Sequence, residues 1–246
     1  KICPSCGSKY ISGFKAGTQK IEELVKKEFP EARILRMDFD TTRSKDSYEK
    51  ILSAFANQEA DILIGTQMIV KGHDFPNVTL VGVLAADLSL YVSDYHAAER
   101  TFQLLTQAAG RAGRGEKPGE VIIQTYNPEH YSVFCAKNQD YNRFYEEEIF
   151  YRQAMHYPPV WHMLVVLCAS KEEAEAYACA KELADTMEGI KADKKLQMIG
   201  PADAAVARVN DIYKKVLYFK HPDYGVLIQI KDKVEQLMEE KQGVRN

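Results

Sequence analysis

Helical patterns and short apolar runs alternate along the chain up to Thr125, and this alternation constrains the fold more than any other feature of the sequence. The apolar runs occupy 32–37, 61–65, 78–85 and 121–125. Helical patterns cover 18–29, a stretch with Tyr48, Ile51, Leu52 and Phe55 on one face, and a stretch from Asp94 through Ala109. The continuous run 78–85 is typical of a strand covered on both faces, and the alternation of strands with helices indicates a parallel sheet with crossover helices. The sequence therefore predicts an α/β lobe.

A different order of elements begins beyond Tyr157-Pro158-Pro159, which ends a predicted aromatic-rich helix over 138–156. The patterns that follow are a strand, a helix, two strands and a helix, over 161–169, 171–188, the two sides of Gly200-Pro201 up to Lys220, and 231–241. This order is that of a smaller α+β, ferredoxin-like (split βαβ) domain without its last strand. We therefore predict one domain over 9–150 and a second over 151–246.

Composition limits the functions open to the chain. Of its 246 residues, 46% are hydrophobic and 27% are charged, as in soluble globular proteins. The net charge of −3 provides no overall basic field, so any contact with DNA must be local. No apolar run reaches the roughly 18 residues that a membrane span requires, and Cys135, Cys168 and Cys179 stand singly, as in reducing compartments. We expect a cytoplasmic protein with no membrane partner. Because the sequence opens without methionine, inside a cysteine motif, we also expect a piece of a longer chain.

Two arginines lie in the segment 107–114, which reads Gln-Ala-Ala-Gly-Arg-Ala-Gly-Arg at the end of the third helical pattern. Arg111 and Arg114 are three residues apart and would share one helical face, and the glycines would let a partner approach the backbone closely. Paired guanidiniums can hold a phosphoryl group and stabilise the charge that develops on it. A solvated basic helix end would have the same sequence, so the segment alone leaves both interpretations open.

The segment 65–76 leaves the carboxyl end of an apolar run, which is the edge where open α/β sheets bind ligands. Thr66 offers a hydroxyl and an amide to a phosphate, and Asp74 can accept a hydrogen bond from a ribose hydroxyl or an arginine. Gly65 and Gly72 permit tight backbone geometry. The alternative is a capped turn without function. We favour a binding loop, because polar residues at strand ends are often site residues.

Cys3 and Cys6 form a Cys-x-x-Cys pair followed by glycine, which has the spacing of half a zinc ribbon. Structural zinc requires four ligands, so two thiolates predict an empty or weak site in this chain. The alternative is a fortuitous cysteine pair.

Arg208, Tyr213 and Lys214 place cations and an aromatic ring beside a predicted turn and strand in the second domain. Cations position a phosphate backbone, and a tyrosine can stack on an unpaired base. A solvated β-hairpin explains the same residues equally well.

Three segments together resemble the PriA family of replication-restart DNA helicases in superfamily 2: 65–76, 99–114 and 118–126. In this resemblance, 65–74 matches helicase motif V and 107–114 matches motif VI. It implies a RecA-like parallel-sheet helicase lobe, the second of two lobes that clamp ATP and move along single-stranded DNA in the 3′ to 5′ direction. The residues that it implies are catalytic arginines (Arg111, Arg114), nucleotide contacts (Gly72, Asp74, Gln107, Gly110) and DNA contacts (Thr66, Gln67, Lys71, Arg208, Tyr213, Lys214).

The resemblance also implies groups that this chain does not contain. The sequence has no Gly-x-x-x-x-Gly-Lys-Ser/Thr loop and no Asp-Glu-x-His box, so ATP with Mg²⁺ would be bound mainly by a first lobe and this chain alone would not hydrolyse ATP. Residues 1–8 would be the remnant of a zinc-binding insertion, with Cys3 and Cys6 as Zn²⁺ ligands. The implied partners are single-stranded and branched DNA, the single-strand-binding protein and other primosome proteins.

Two rival interpretations stay open. A non-catalytic DNA or protein interaction module would have no use for the two arginines. Another superfamily 2 translocase is disfavoured by the cysteine pair ahead of the lobe.

Overall fold

The computed structural model describes residues 17–42, 45–70, 75–190 and 194–244. The chain divides into two compact units, of which the first comprises residues 1–86 and 103–126 and the second comprises residues 87–102 and 127–246. A domain boundary at residue 150 stays a prediction.

Short parallel strands and amphipathic helices form the first unit. Its elements are α1 (Thr18–Glu28), β1 (Ile34–Met37), α2 (Lys45–Ala56), β2 (Ile62–Gly65), β3 (Leu80–Val83), the second part of α3 (Ala97–Ala109) and β4 (Glu120–Ile123). β1 pairs with β2 in parallel, and β3 pairs with β4 in parallel. The predicted α/β class with parallel strands is therefore confirmed.

The pair β3–β4 is covered less than the sequence indicates. Alternate residues are exposed along both strands, with Leu80 56% and Ile122 54% exposed. The prediction of strands buried on both faces is wrong for this pair. An apolar run shows that both faces of a strand can be buried. Burial also requires other elements to pack on both faces, and a pair of two strands has few such neighbours.

A small apolar core attaches α2 to β1. Met37, Leu52 and Phe75 are buried in it, and partly buried side chains of the predicted α2 face pack around them, including Tyr48 and Phe55. The rings of Phe55 and Phe75 meet edge to face with centroids 5.0 Å apart. Phe75 therefore holds the chain that leads into β3 against the α2 face.

The second unit contains the start of α3, two adjoining helices and an antiparallel sheet. Its further elements are α4 (Tyr131–Asn138), α5 (Tyr141–Ala154), β5 (His162–Ser170), α6 (Glu173–Ile190), β6 (Gln197–Val209), β7 (Ile212–His221) and α7 (Tyr224–Val244). The sheet order is β5-β7-β6, with both pairings antiparallel. Leu217 and Phe219 of the central strand are fully buried in a core to which α6 and α7 contribute. The predicted order of a strand, a helix, two strands and a helix is confirmed.

The helix predicted over 138–156 is α5, and a further helix that the sequence did not predict, α4, precedes it. Gln139 adopts the left-handed conformation with φ of 53°, which ends α4. Asp140 then caps α5, because its carboxylate accepts a hydrogen bond from the backbone N–H of Arg143 at 3.0 Å. The predicted start at residue 138 therefore lies before the true start of α5 at Tyr141.

The two strands predicted on either side of Gly200-Pro201 form one strand, β6, and the reversal lies further along the chain. The register of β6 shifts between Ile199 and Ala202, and an edge strand tolerates proline at such a bulge. The turn into β7 uses Asn210 and Asp211, with φ of 49° and 61°, as in a two-residue primed hairpin. The last helix begins at residue 224 and not at 231. Among the described residues, the helices are too short or too polar to cross a membrane.

Candidate functional site

Gly65 ends β2 beside Met37, the last residue of β1. A Cβ atom at Gly65 would lie 2.5 Å from the carbonyl oxygen of Met37 and 2.7 Å from Cγ2 of Ile69, so this position requires glycine. Thr66 and Gln67 follow at once and are exposed. The structure therefore presents two of the predicted DNA-binding residues at the carboxyl end of β2.

Other predicted residues fall where the structure gives no description: Lys71, Gly72 and Asp74 of the same loop, and the cysteines Cys3 and Cys6. Within the described ranges, no group of three or more histidine, cysteine, aspartate or glutamate side chains is arranged to hold a metal ion.

Asp38 directly follows β1 and is a buried carboxylate that belongs to none of the predicted sites. Its Oδ1 accepts from the backbone N–H of Thr41 at 2.9 Å, and its Oδ2 accepts from the hydroxyl of Thr18 at the start of α1 and lies 3.0 Å from Nε of Arg36. The hydrogen bond from Thr18, together with those from Thr41 and the charge of Arg36, lowers the pKa of Asp38 despite its burial. These contacts attach α1 to the end of β1. In the sequence, this position could have been identified from a charged residue immediately after an apolar run.

Residues 110–119, here named the arginine loop, follow the end of α3. Because α3 ends at Ala109, Arg111 and Arg114 lie beyond the helix, and the prediction that they share a helical face is wrong. Glycines cause the difference: Gly113 has φ of 73°, in the left-handed region that an α-helix does not use.

Backbone contacts fix the arginine loop against the segment that precedes β3. The N–H of Gly113 donates to the carbonyl of Val78 at 3.0 Å. A Cβ atom at Gly119 would overlap the backbone of Gly113, and one at Gly115 would overlap the carbonyl of Pro76. The arginine loop is therefore in contact with Pro76, the last residue of the segment 65–76, and with Val78 just beyond it.

Four predicted site residues lie together at the end of α3 and in the arginine loop. Gln107 is exposed, Gly110 and Arg111 are half-buried, and Arg114 is exposed. Nε of Arg114 donates to the carbonyl of Gly110 at 2.6 Å, which holds this guanidinium close to the helix end.

The arginine loop and Thr66 lie at different strand ends. Val78, which contacts the arginine loop, lies just before β3, and Gly119, which belongs to the loop, lies just before β4. Thr66 instead follows β2. The arginine loop therefore lies at the amino ends of β3 and β4, whereas Thr66 and Gln67, which are predicted DNA contacts, lie at the carboxyl end of β2.

Arg208 and Tyr213 face each other near the tip of the β6–β7 hairpin. The guanidinium of Arg208 lies 4.8 Å from the centre of the Tyr213 ring and 2.7 Å from the carboxylate of Asp211. Alternation along β7 places Lys214 on the opposite face of the sheet. The structure thus brings Arg208 and Tyr213 together, but it does not bring Lys214 to them.

Arg152 of α5 is a buried cation at the centre of a polar network that the sequence did not indicate. It donates to Oε1 of Glu148 at 2.7 Å, to the carbonyl of Pro158 at 2.9 Å and to Oε2 of Glu99 at 2.6 Å. The other carboxylate oxygen of Glu148 accepts from the hydroxyl of Tyr131 at 2.6 Å. Burial opposes the charge of Arg152, but the hydrogen bonds to the two carboxylates raise its pKa. In the sequence, part of this network could have been identified from the i, i+4 spacing of Glu148 and Arg152.

Aromatic rings extend this network to β7. The guanidinium of Arg152 lies 5.3 Å from the centre of the Tyr95 ring, which stacks on Tyr157 with centroids 5.0 Å apart. The ammonium of Lys220 lies 3.5 Å from the centre of the Tyr157 ring, and burial lowers its pKa. These contacts join the chain before α3, α5, the loop after α5 and the central strand of the sheet within the second unit.

Comparison with known proteins accounts for both parts of the chain. Residues 9–116 match the helicase conserved C-terminal domain, and residues 153–245 match the primosomal protein N C-terminal domain. The chain is 49% identical over 220 residues to the replication restart protein PriA of Bacillus subtilis (strain 168), covering 89% of this chain and 27% of that protein. It is 41% identical over 237 residues to the PriA of Synechocystis, covering 96% and 28%, and 39% identical over 232 residues to that of Treponema pallidum, covering 93% and 34%.

The chain spans about a third or less of the length of these relatives. The helicase domain match comes first along the chain and the primosomal protein match follows it. The relatives align over most of the chain. Over most of its length the chain is therefore similar to a C-terminal region of the PriA replication restart proteins.

Proposed function

We propose that this chain is the second RecA-like lobe and the C-terminal domain of an ATP-dependent 3′ to 5′ DNA helicase that recognises stalled or branched replication forks and initiates primosome assembly. The observation that carries the proposal is the contact of the arginine loop with the end of the other candidate helicase segment. The arginine loop is fixed by backbone contacts to Pro76 and Val78, directly after the loop that begins at Thr66. One folded body then carries both a nucleotide-sensing group and a DNA-contacting group, as a motor lobe requires.

In this proposal the nucleotide and the DNA are bound by different surfaces. Arg111 and Arg114 act across the interface of the two lobes, where they stabilise charge that develops at the γ-phosphate of ATP. The first lobe of the full-length protein holds most of the ATP and its Mg²⁺. The residues that complete the nucleotide site are Gly72, Asp74, Gln107 and Gly110, and those that contact the DNA backbone are Thr66, Gln67 and Lys71.

The C-terminal domain has, in this proposal, a ferredoxin-like plan and contacts branched DNA. Support comes from the strand order, because β5, β7 and β6 are the first, third and second strands of the domain, as in a split βαβ arrangement. Arg208 contacts a phosphate, and the Tyr213 ring holds its guanidinium in place. Lys214 adds a cation from the other face.

The remaining components belong to the full-length protein. Cys3 and Cys6 would supply two of the four thiolates of a Zn²⁺ site. The partners would be single-stranded and branched DNA, the single-strand-binding protein and other primosome proteins in the cytoplasm. The relatives are replication restart proteins, which supports these partners.

Substitution of the arginines in the full-length protein tests the proposal. Arg114→Ala and Arg111→Ala should nearly abolish ATP turnover at saturating DNA, while the affinity for forked DNA stays within a few fold. Arg114→Lys should not rescue turnover, because an ammonium on a flexible stem cannot replace the planar guanidinium. Lys117→Ala, which removes an exposed cation from the same loop, is the matched control and should leave both quantities unchanged.

ATP turnover and DNA affinity must be measured in one preparation at fixed salt, because phosphate contacts make affinity strongly dependent on salt. Turnover near the wild-type rate in the arginine variants would exclude a nucleotide-sensing role. A parallel collapse of DNA affinity would show that the arginines bind DNA, and the proposal would fail in that case too.

A further inference from the structure

A cleft of about 650 Å³ lies along α4 and α5 in the second unit, and none of the residues proposed above lines it. Its walls include Glu129, His130, Tyr131, Arg143, Glu147 and Tyr151. The volume is within the range of pockets that bind small organic ligands, roughly 300–1,000 Å³. This cleft is here named the α4–α5 cleft.

One wall of the cleft is a set of stacked rings that is held in place before any ligand binds. Tyr131 stacks on His130 with centroids 4.7 Å apart and on Tyr151 with centroids 5.4 Å apart. The hydroxyl of Tyr131 is held by Glu148 at 2.6 Å, so its ring cannot turn freely. Tyr151 is 50% exposed and presents ring surface to an incoming ligand. The wall therefore suits a flat aromatic ligand.

The polar groups of the cleft determine the charge of that ligand. Glu129 and Glu147 contribute two carboxylates, whereas Arg143, which lies 4.6 Å from the centre of the Phe134 ring, contributes one guanidinium. Burial lowers the pKa of His130, and its Nδ1 accepts from the backbone N–H of Ser132, so the neutral ring carries its proton on Nε2. A small anion would meet a net negative cleft. A neutral, flat ligand with amino groups would stack on the rings and donate to a carboxylate.

We infer that the α4–α5 cleft binds one unpaired base of single-stranded DNA, and that it prefers bases with an exocyclic amino group over thymine. Cytosine, adenine and guanine each carry an amino group that a carboxylate can accept from, whereas the one ring donor of thymine, N3–H, lies between two carbonyl oxygens that a carboxylate repels. Tyr151 supplies the stacking surface, Glu147 the acceptor, and Arg143 a contact for a neighbouring phosphate. This inference rests on the proposed DNA-handling function.

Binding of the full-length protein to short oligonucleotides tests the inference, with oligo-dC and oligo-dT of equal length compared at one salt concentration. The wild-type protein should bind oligo-dC more tightly by several fold. Tyr151→Ala should weaken binding of oligo-dC roughly tenfold, as expected for the loss of one stacked base, and Tyr151→Phe should restore it. Tyr145→Ala, an equally exposed tyrosine on α5 outside the cleft, is the matched control and should bind as the wild type does.

Glu147→Gln tests the specificity separately from the stacking. It should reduce the preference for oligo-dC over oligo-dT to about twofold or less, while affinity for oligo-dT stays unchanged or rises. Equal binding of the two oligonucleotides by the wild type, or equal behaviour of Tyr151→Ala and Tyr145→Ala, would overturn the inference. In those cases normal DNA-stimulated ATP turnover would show that only the cleft assignment has failed, whereas absence of any DNA binding would show that the proposed function has failed as well.

Discussion

Replacement of Arg152 by methionine should lower the free energy of unfolding of the second unit by about 3–5 kcal/mol. Methionine retains an unbranched apolar stem and removes the charge, so the change isolates the polar contacts. The side chains of Arg152 and Glu148 are 9% and 10% exposed, whereas that of Glu99 is 34% exposed. The substitution therefore leaves Glu148 as a buried carboxylate that has lost its neighbouring cation.

The magnitude follows from the three contacts of Arg152. Isolation of Glu148 dominates, because removal of one partner of a buried ion pair costs about 3–5 kcal/mol. The pair with Glu99 contributes under about 1 kcal/mol, since that carboxylate can regain water. Loss of a donor to the carbonyl of Pro158 costs about 1 kcal/mol. Partial relaxation of Glu148 toward solvent offsets some of this loss, which keeps the total near the range for a buried pair.

Urea unfolding followed by tryptophan fluorescence measures the effect in the second unit. The chain has one tryptophan, Trp161, which stacks on His156 with centroids 3.9 Å apart. Addition of Glu148→Gln to Arg152→Met should recover about 2 kcal/mol, because the buried charge is removed while the amide oxygen can still accept from the Tyr131 hydroxyl. Arg100→Met, which breaks an exposed ion pair, is the control and should cost under about 1 kcal/mol.

Two results would refute this reasoning about Arg152. One is a loss for Arg152→Met no larger than that for Arg100→Met, which would mean that the network contributes no more than a surface pair. The other is a double variant as unstable as the single variant, which would mean that the isolated carboxylate of Glu148 is not the cause of the loss.

Three smaller predictions concern single positions. Gly119→Ala should lower the unfolding free energy of the first unit by about 1–3 kcal/mol, because the new Cβ would overlap backbone atoms. Gly82→Ala should not lower it, because a Cβ there meets no atom within 4 Å. Thermal unfolding of the two variants compares them. Asp211→Gly should stabilise the second unit by about 0.5–1 kcal/mol in urea unfolding, because glycine adopts φ of 61° without strain; a loss of stability would contradict this view of the turn. Hydrogen bonds from Arg33 hold the pKa of Asp61 at about 2, so the stability from this pair is present above the ordinary pKa of 3.8 and disappears as the pH falls toward 2. Asp61→Asn should therefore make unfolding less dependent on pH between 4 and 2, and an unchanged pH profile would exclude a contribution from the pair.

Periodicity predicted the elements of the fold because burial of apolar side chains determines most of them. The face of α2 that carries Tyr48 and Phe55 packs on Met37 as its spacing requires. Periodicity could not predict where helices stop. Gln139 ends α4 in a left-handed conformation that glutamine seldom adopts, so the surrounding structure imposes this helix end and the local sequence does not encode it.

Motif matching identified the residues of the candidate site but not their geometry. The spacing of Arg111 and Arg114 predicts a shared helical face, yet the glycines between and after them allow the chain to leave the helix. The contact of Gly113 with Val78 could not be predicted either, because the two residues are far apart in the sequence and the hydrogen bond joins backbone groups that every residue carries. Long-range backbone contacts leave a trace in the sequence only where, as at Gly119, a side chain would prevent them.

Burial separates the polar residues of this chain into two physical classes. Asp38, Glu148 and Arg152 are buried and hydrogen-bonded within the protein, because a buried charge without such partners would be costly, and they are the residues that motif matching did not identify. Thr66 and Arg114, which motif matching did identify, are exposed, as groups must be if they are to contact a ligand. By the same criterion, the half-exposed Tyr151 and the exposed Arg143 of the α4–α5 cleft belong with the ligand-contacting class, while Tyr131 and Glu148 beside them form the fixed support. The cleft thus combines an accessible surface with a rigid base, which is the arrangement that a preorganised binding site requires.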